Sequence, residues 1–158
     1  MTTETKPDST AETLTHIKRV NSLLITCVTE LLKRAAVHDD SKLLPPEKEL
    51  FDTVPYKLKG ITYGSAEYKA CLAELGPALE HHYAHNSHHP ECFTNGVDGM
   101  DLFDVIEMLM DWKAAGERHD NGCIYRSIKV NTERFTLSPQ LVSILTNTAQ
   151  RMGWKERV

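Results

Sequence analysis

The chain has 158 residues, 41% of them hydrophobic and 25% charged, with a formal net charge of -4. A chain of this length is expected to form one domain with a core that needs no covalent staples, and its acidic balance gives it no global attraction for duplex nucleic acid. With no secretory leader pattern and no apolar run of membrane-spanning length, the expected location is the cytoplasm and no membrane partner is expected.

Residues 1–11 are polar and Thr-rich and are expected to form a flexible tail, leaving 12–158 as a single domain. The spacing of Ile17, Val20, Leu24, Val28 and Leu31 predicts a helix from about Glu12 to Ala36 with one buried stripe. Pro45-Pro46 suits the first turn of a short helix carrying Glu47, Glu49, Leu50 and Phe51. A longer connection over 52–65 leads into a helix over about 66–85, which Gly76-Pro77 should kink or break. Residues 86–99 read as a loop. Asp101 to Ala115 is predicted to be helical, with Leu102, Val105, Ile106, Leu109 and Met110 turned inward. Asn121-Gly122 signals a turn, Cys123 to about Phe135 another helix, and Ser138-Pro139 the start of a last helix that Gly153 ends. No strand pattern competes with these, so the fold class is all-α. The four cysteines are scattered without a CxxC pair, and Cys27 and Cys71 read as small core residues.

The strongest chemical signal is Arg34-Ala35-Ala36-Val37-His38-Asp39-Asp40-Ser41-Lys42. An apolar run delivers an adjacent imidazole and carboxylate to a helix end, and both are natural ligands of a divalent transition metal. His16 lies 22 residues upstream of His38. Asp104 sits among Leu102, Phe103, Val105 and Ile106, where a carboxylate is costly to bury unless it is paired or metal-bound; it is preferred over Asp111 as a ligand from that helix. Five of the eight histidines crowd between His81 and His89. His82, His88 and His89 are candidates for a second metal or for phosphate, and Asn86 for substrate. Ser127, Asn131 and Arg134 follow one helical face, with Arg126 beside them, and a hydroxyl, an amide and a guanidinium together suit a phosphate or sugar.

Taken in order, THIKRVNSLL, RAAVHDDSK and DLFDVIEML resemble the HD-domain superfamily over about residues 12–115. That resemblance implies a compact helical bundle of five to seven helices in which His16, His38, Asp39 and Asp104 hold a metal, and a metal-bound water attacks a phosphate ester. For His16 and His38 to share an ion, the first predicted helix must break between them. Lys42 stands where the single-metal deoxynucleotidases of the superfamily generally carry a glutamate. His-Asp-x-x-Lys is similar instead to the HD-GYP phosphodiesterases and to myo-inositol oxygenase, both with more than one metal. The text HDxSK, YGSxEY, HHYxxNxHHPE and DxxEMLxDWKAA also looks like a small HD-like family of phage and bacterial genomes without an assigned function, over nearly the whole chain.

The expectation is a metal-dependent phosphohydrolase acting on a nucleotide or related small phosphate ester. It would use one or two divalent ions (Mn, Fe, Co, Zn or Ni), with Asp39 and Lys42 in the catalytic machinery and Lys42, Asn86, Asn131 and Arg134 meeting the substrate. Self-association into a homo-oligomer is left open. Two rival readings are a di-iron oxygenase and a module that sequesters a nucleotide without turning it over.

Overall fold

The computed structural model describes residues 8–58, 66–118 and 122–155. Among them are seven α-helices and no strand, so the all-α expectation holds. Of the expected tail at 1–11, residues 1–7 lie outside the described residues and Thr10 and Ala11 are already helical; of the expected connection at 52–65, residues 52–58 are helical and 59–65, with the start of YGSxEY, lie outside the described residues, as does Asn121. No helix among the described residues is long and apolar enough to cross a membrane.

Helix α1 runs unbroken from Thr10 to Val37. It lies in one compact unit, Met1–His38, and the rest of the chain forms another, Asp39–Val158. The predicted stripe of Ile17, Val20, Leu24 and Val28 is exposed, since a lone helix supplies no second layer of its own to bury it.

In the second unit, a 3-10 turn at Asp40–Leu43 leads into α2 (Glu47–Leu58). Helices α3 (Ala66–Ala73) and α4 (Gly76–His85) follow. The break between them falls at Gly76-Pro77, as the missing proline N–H requires. Val54, Cys71 and Leu75 form a small core there, with Leu50, Phe51 and Leu79 packed round it. The predicted loop 86–99 is real but ordered by two 3-10 turns, Pro90–Cys92 and Gly96–Gly99.

Helix α5 (Leu102–Glu117) begins with a reciprocal cap. The Asp101 carboxylate accepts from Phe103 N and Asp104 N, and the Asp104 carboxylate accepts from Asp101 N, satisfying N–H groups that a helix start leaves open. Helix α6 (Ile124–Phe135) follows. Helix α7 (Pro139–Arg151) starts on Ser138, whose Oγ accepts from Leu141 N, and ends at Gly153 with φ 71°, the left-handed residue that glycine tolerates. Leu109, Ile124, Ile128, Leu137, Leu145 and Ala149 make the larger core. Each fully buried leucine contributes about 1.5–3 kcal/mol. Leu102, at the first helical position of α5, is exposed rather than inward.

Candidate metal centre

Helix α4 turns His82 into the interior, where only 1% of it is exposed. A bare imidazole there needs partners. Its Nδ1–H donates to Glu47 Oε2 at 2.9 Å. Glu47, in the first turn of α2, is 0% exposed. His81 Nδ1 meets the other oxygen of that carboxylate at 2.7 Å, and Ser41 Oγ donates to Oε2 at 3.0 Å. Burial opposes the charge on Glu47, but the bonds from His81, Ser41 and His82 outweigh it and hold its carboxyl below the ordinary value. With Nδ1 committed to Glu47, the Nε2 lone pair of His82 is left to bind something else.

Asn86 closes α4 by donating from Nδ2 to the His82 carbonyl at 2.8 Å, and the chain then doubles back to bring His88 and His89 toward His82. His88, 2% exposed, sets Nδ1 3.1 Å from Glu107 Oε1 on α5 and Nε2 3.5 Å from Asp39 Oδ1. His89 Nε2 lies 2.9 Å from His82 Nε2. Burial, with His88 and His82 alongside, pushes His89 down to about 3, so its ring is neutral near pH 7.

Asp39 enters from the start of the 3-10 turn in the left-handed conformation, φ 59°. Its Oδ1 is 3.2 Å from His82 Nε2, and its Oδ2 accepts from Lys42 Nζ at 2.6 Å. Burial opposes ionisation here too, but hydrogen bonds from His82, His88 and Lys42 hold the carboxyl well below the ordinary range.

One ligand atom each from Asp39, His82, His88 and His89 therefore converges, all within 4.8 Å of one another. Ligands about 2.1 Å from one ion stand about 3.0 Å apart at right angles and about 3.4 Å apart in a tetrahedron. The separations of 2.9, 3.2 and 3.5 Å match that spacing. The donor set, three imidazoles and one carboxylate, suits a divalent transition metal. Carboxylates behind His82 and His88 supply the orienting partners that metal-bound histidines take.

Over residues 5–151 the chain matches the model of DUF5662, a family of unknown function. It belongs to that family. No curated protein and no solved structure matches it.

In this DUF5662 member the four-residue ligand set implied by the HD resemblance is not assembled. His16 lies within one continuous helix and His38 caps its end, which holds them about 33 Å apart along its axis, so they cannot share an ion. His38 is the C-terminal cap residue of α1. Asp104 is buried, 4% exposed, but its oxygens accept from Asp101 N and from Ser87 Oγ at 2.5 Å. It serves the helix start, and Glu107, one turn further along α5, reaches the histidines instead. Asn86 is taken up by Ser41 and His82 rather than held out to a substrate. Arg134 pairs with Glu91 at 2.6 Å, and Asn131 lines a cavity between α5 and α6. Lys42 stands at the centre, between Asp39 and the face of Phe51, 5.6 Å from the ring centroid. Sequence reasoning missed Glu47, Glu107 and Ser41. The one available signal was a carboxylate at i+3 from Asp104.

Proposed function

We propose that this protein is a metal-dependent phosphohydrolase acting on a nucleotide or a related small phosphate ester. The observation that carries the reading is the buried convergence of Asp39, His82, His88 and His89 at ligand spacing. A bound divalent ion supplies Lewis acidity and a water acidified toward neutral pH. Asp39 and the three histidines hold that ion, with Glu47 and Glu107 fixing the tautomers of His82 and His88. Lys42 puts an ammonium beside Asp39, where it offsets the charge of an incoming phosphate as a compact cation. Four protein ligands close a tetrahedral site, so hydrolysis calls for a five- or six-coordinate ion such as manganese, iron, cobalt or nickel rather than tetrahedral zinc.

The test is metal analysis of the purified protein, followed by anaerobic incubation with manganese and a panel of nucleoside mono-, di- and triphosphates and cyclic dinucleotides. Phosphate release, or ring opening of a cyclic dinucleotide, that is lost in Lys42→Ala and His89→Ala supports the reading. No hydrolysis of any of them, together with oxygen consumption by the iron-loaded protein, would replace it with oxidation. Binding without turnover of either kind would replace it with nucleotide sequestration.

A further inference from the structure

Helix α1 has 28 residues, and none of them is buried. Helices in folded proteins owe most of their stability to packing an apolar face rather than to propensity, so an amphipathic helix in this state has its stabilising contact still to make.

The apolar side chains of α1 follow a register. Counted in heptads from Leu14, the first position falls on Leu14, Asn21, Val28 and Ala35, and the fourth on Ile17, Leu24 and Leu31. All but Asn21 are apolar, and together they make the narrow seam along which one helix coils round another. Val20, Ile25, Cys27 and Leu32 flank the seam. The position opposite it carries Glu12, Arg19, Thr26 and Lys33. Lys33 pairs with Glu30 at 3.3 Å, and the hydroxyls of Thr15, Thr26 and Thr29 donate to carbonyls of α1 itself. That outer face has its polar partners and suits water.

Pattern and size both indicate what covers the seam. A seven-residue apolar period is the period of a helix that supercoils with another helix, and a seam met by its own copy is self-complementary. Val28 at the first position with Leu24 and Leu31 at the fourth is the choice that favours two parallel strands, and one asparagine at a first position sets register and strand number. Leu14, Ile17, Val20, Leu24, Ile25, Val28 and Leu32 stand 39–65% exposed. At roughly 100 Å² for a wholly exposed side chain of this size, two such faces bring together about 750 Å² of apolar surface. Homodimer interfaces are about 65% apolar, so the whole contact comes to about 1,100 Å², above the ~1,000 Å² that a specific interface needs. A lipid surface fits less well. Helices that lie on membranes set Trp or Phe in the apolar face, and α1 has no Trp, Phe or Tyr.

We infer that α1 pairs, parallel and in register, with α1 of a second copy of this chain, the two Asn21 amides meeting across the seam.

Sedimentation equilibrium of the intact chain at micromolar concentration should show a dimer. Leu24→Glu sets two like charges against each other in the seam and should raise the dimer dissociation constant by about a hundredfold or more. Leu23→Glu places the same charge one residue away, outside the seam, and should leave pairing unchanged. Asn21→Leu removes the buried amides, so it should tighten association and admit trimers or larger species. Should Leu24→Glu fail to fold, Val28→Thr keeps the side-chain shape, puts a hydroxyl in the seam and should weaken pairing about tenfold. Far-UV circular dichroism reports the folding of each variant. A wild type that stays monomeric throughout the micromolar range would overturn the inference. So would a dimer indifferent to Leu24→Glu and Val28→Thr, one weakened equally by Leu23→Glu, or one that Asn21→Leu leaves unchanged. Binding of the monomer to vesicles of phosphatidylserine and phosphatidylcholine, lost in Leu24→Glu, would assign the face to a lipid surface instead.

Discussion

His82 Nε2 and His89 Nε2 face each other across 2.9 Å. Two lone pairs at that distance repel unless a proton or a cation lies between them. His82 directs its Nδ1–H to Glu47, and His89 resists protonation until the pH reaches about 3. A neutral pair holds the tautomeric proton of His89 between the two nitrogens, and for both to ligate a metal that proton would have to sit on His89 Nδ1 instead. Metal binding therefore turns on His82.

His82→Ala should purify without metal and lose the stabilisation that metal confers. At a metal concentration 100 times its dissociation constant that stabilisation is about 2.7 kcal/mol. Thermal melts with and without a chelator, beside metal analysis, read both effects. Full metal content in the variant would sink the assigned site.

Glu107→Gln keeps the shape of the side chain but weakens its hold on His88 Nδ1, 3.1 Å away. Metal affinity should fall by about 10- to 100-fold, as it does when orienting partners are removed, while the number of ions bound at saturation stays the same. Competition with a chromogenic chelator measures this. An unchanged affinity would mean that Glu107 does not orient the ligand.

His16→Ala should leave metal content untouched, because α1 holds His16 far from its own end. Asp104→Ala should lower the unfolding free energy by about 1–2 kcal/mol, the cost of a lost helix cap, and still retain metal. Urea denaturation and metal analysis separate the two effects. Loss of metal in folded Asp104→Ala would restore that residue to the ligand set.

In the metal-free protein, stability should fall as the pH drops from about 6.5 toward 3. His89 titrates near 6.5 when unfolded but only at about 3 when folded, so within that window the unfolded chain binds more protons and acid favours unfolding. Asp39 acts in the same direction below its ordinary 3.8, since its carboxyl is held lower in the fold. His89→Gln should flatten the upper part of the profile. A wild-type melting temperature that does not change between pH 7 and 5 would contradict this.

Much of the architecture was written in local signals. Ser138, Pro139 and Gly153 announced both ends of α7, and Gly76-Pro77 the break before α4. The density of histidines after His81 marked the site, and Asp39 marked its carboxylate. Glu47 was not legible, because a glutamate after Pro45-Pro46 looks like an ordinary first-turn residue. Only the packing of α2 on α4 carries it to histidines 34 and 35 positions away. Asp104 was preferred to Asp111 from α5, and Glu107 was overlooked, for a related reason. Burial among apolar neighbours does point to a paired carboxylate, but the pairing was a helix cap, and the reciprocal spacing of Asp101 and Asp104 already contained it. The exposed face of α1 was misread because periodicity announces an apolar stripe without naming what lies opposite.

The left-handed backbone at Asp39 carries a consequence for how this protein can change. A β-carbon in that conformation costs about 1–2 kcal/mol, and glycine would relieve it. Glycine there would fold more readily but would remove the carboxylate among the three histidines. At this position selection for a sturdier chain and selection for a working site pull in opposite directions. A search for stabilised variants that screens on folding alone would be drawn to Asp39→Gly, and would trade away the site to get it.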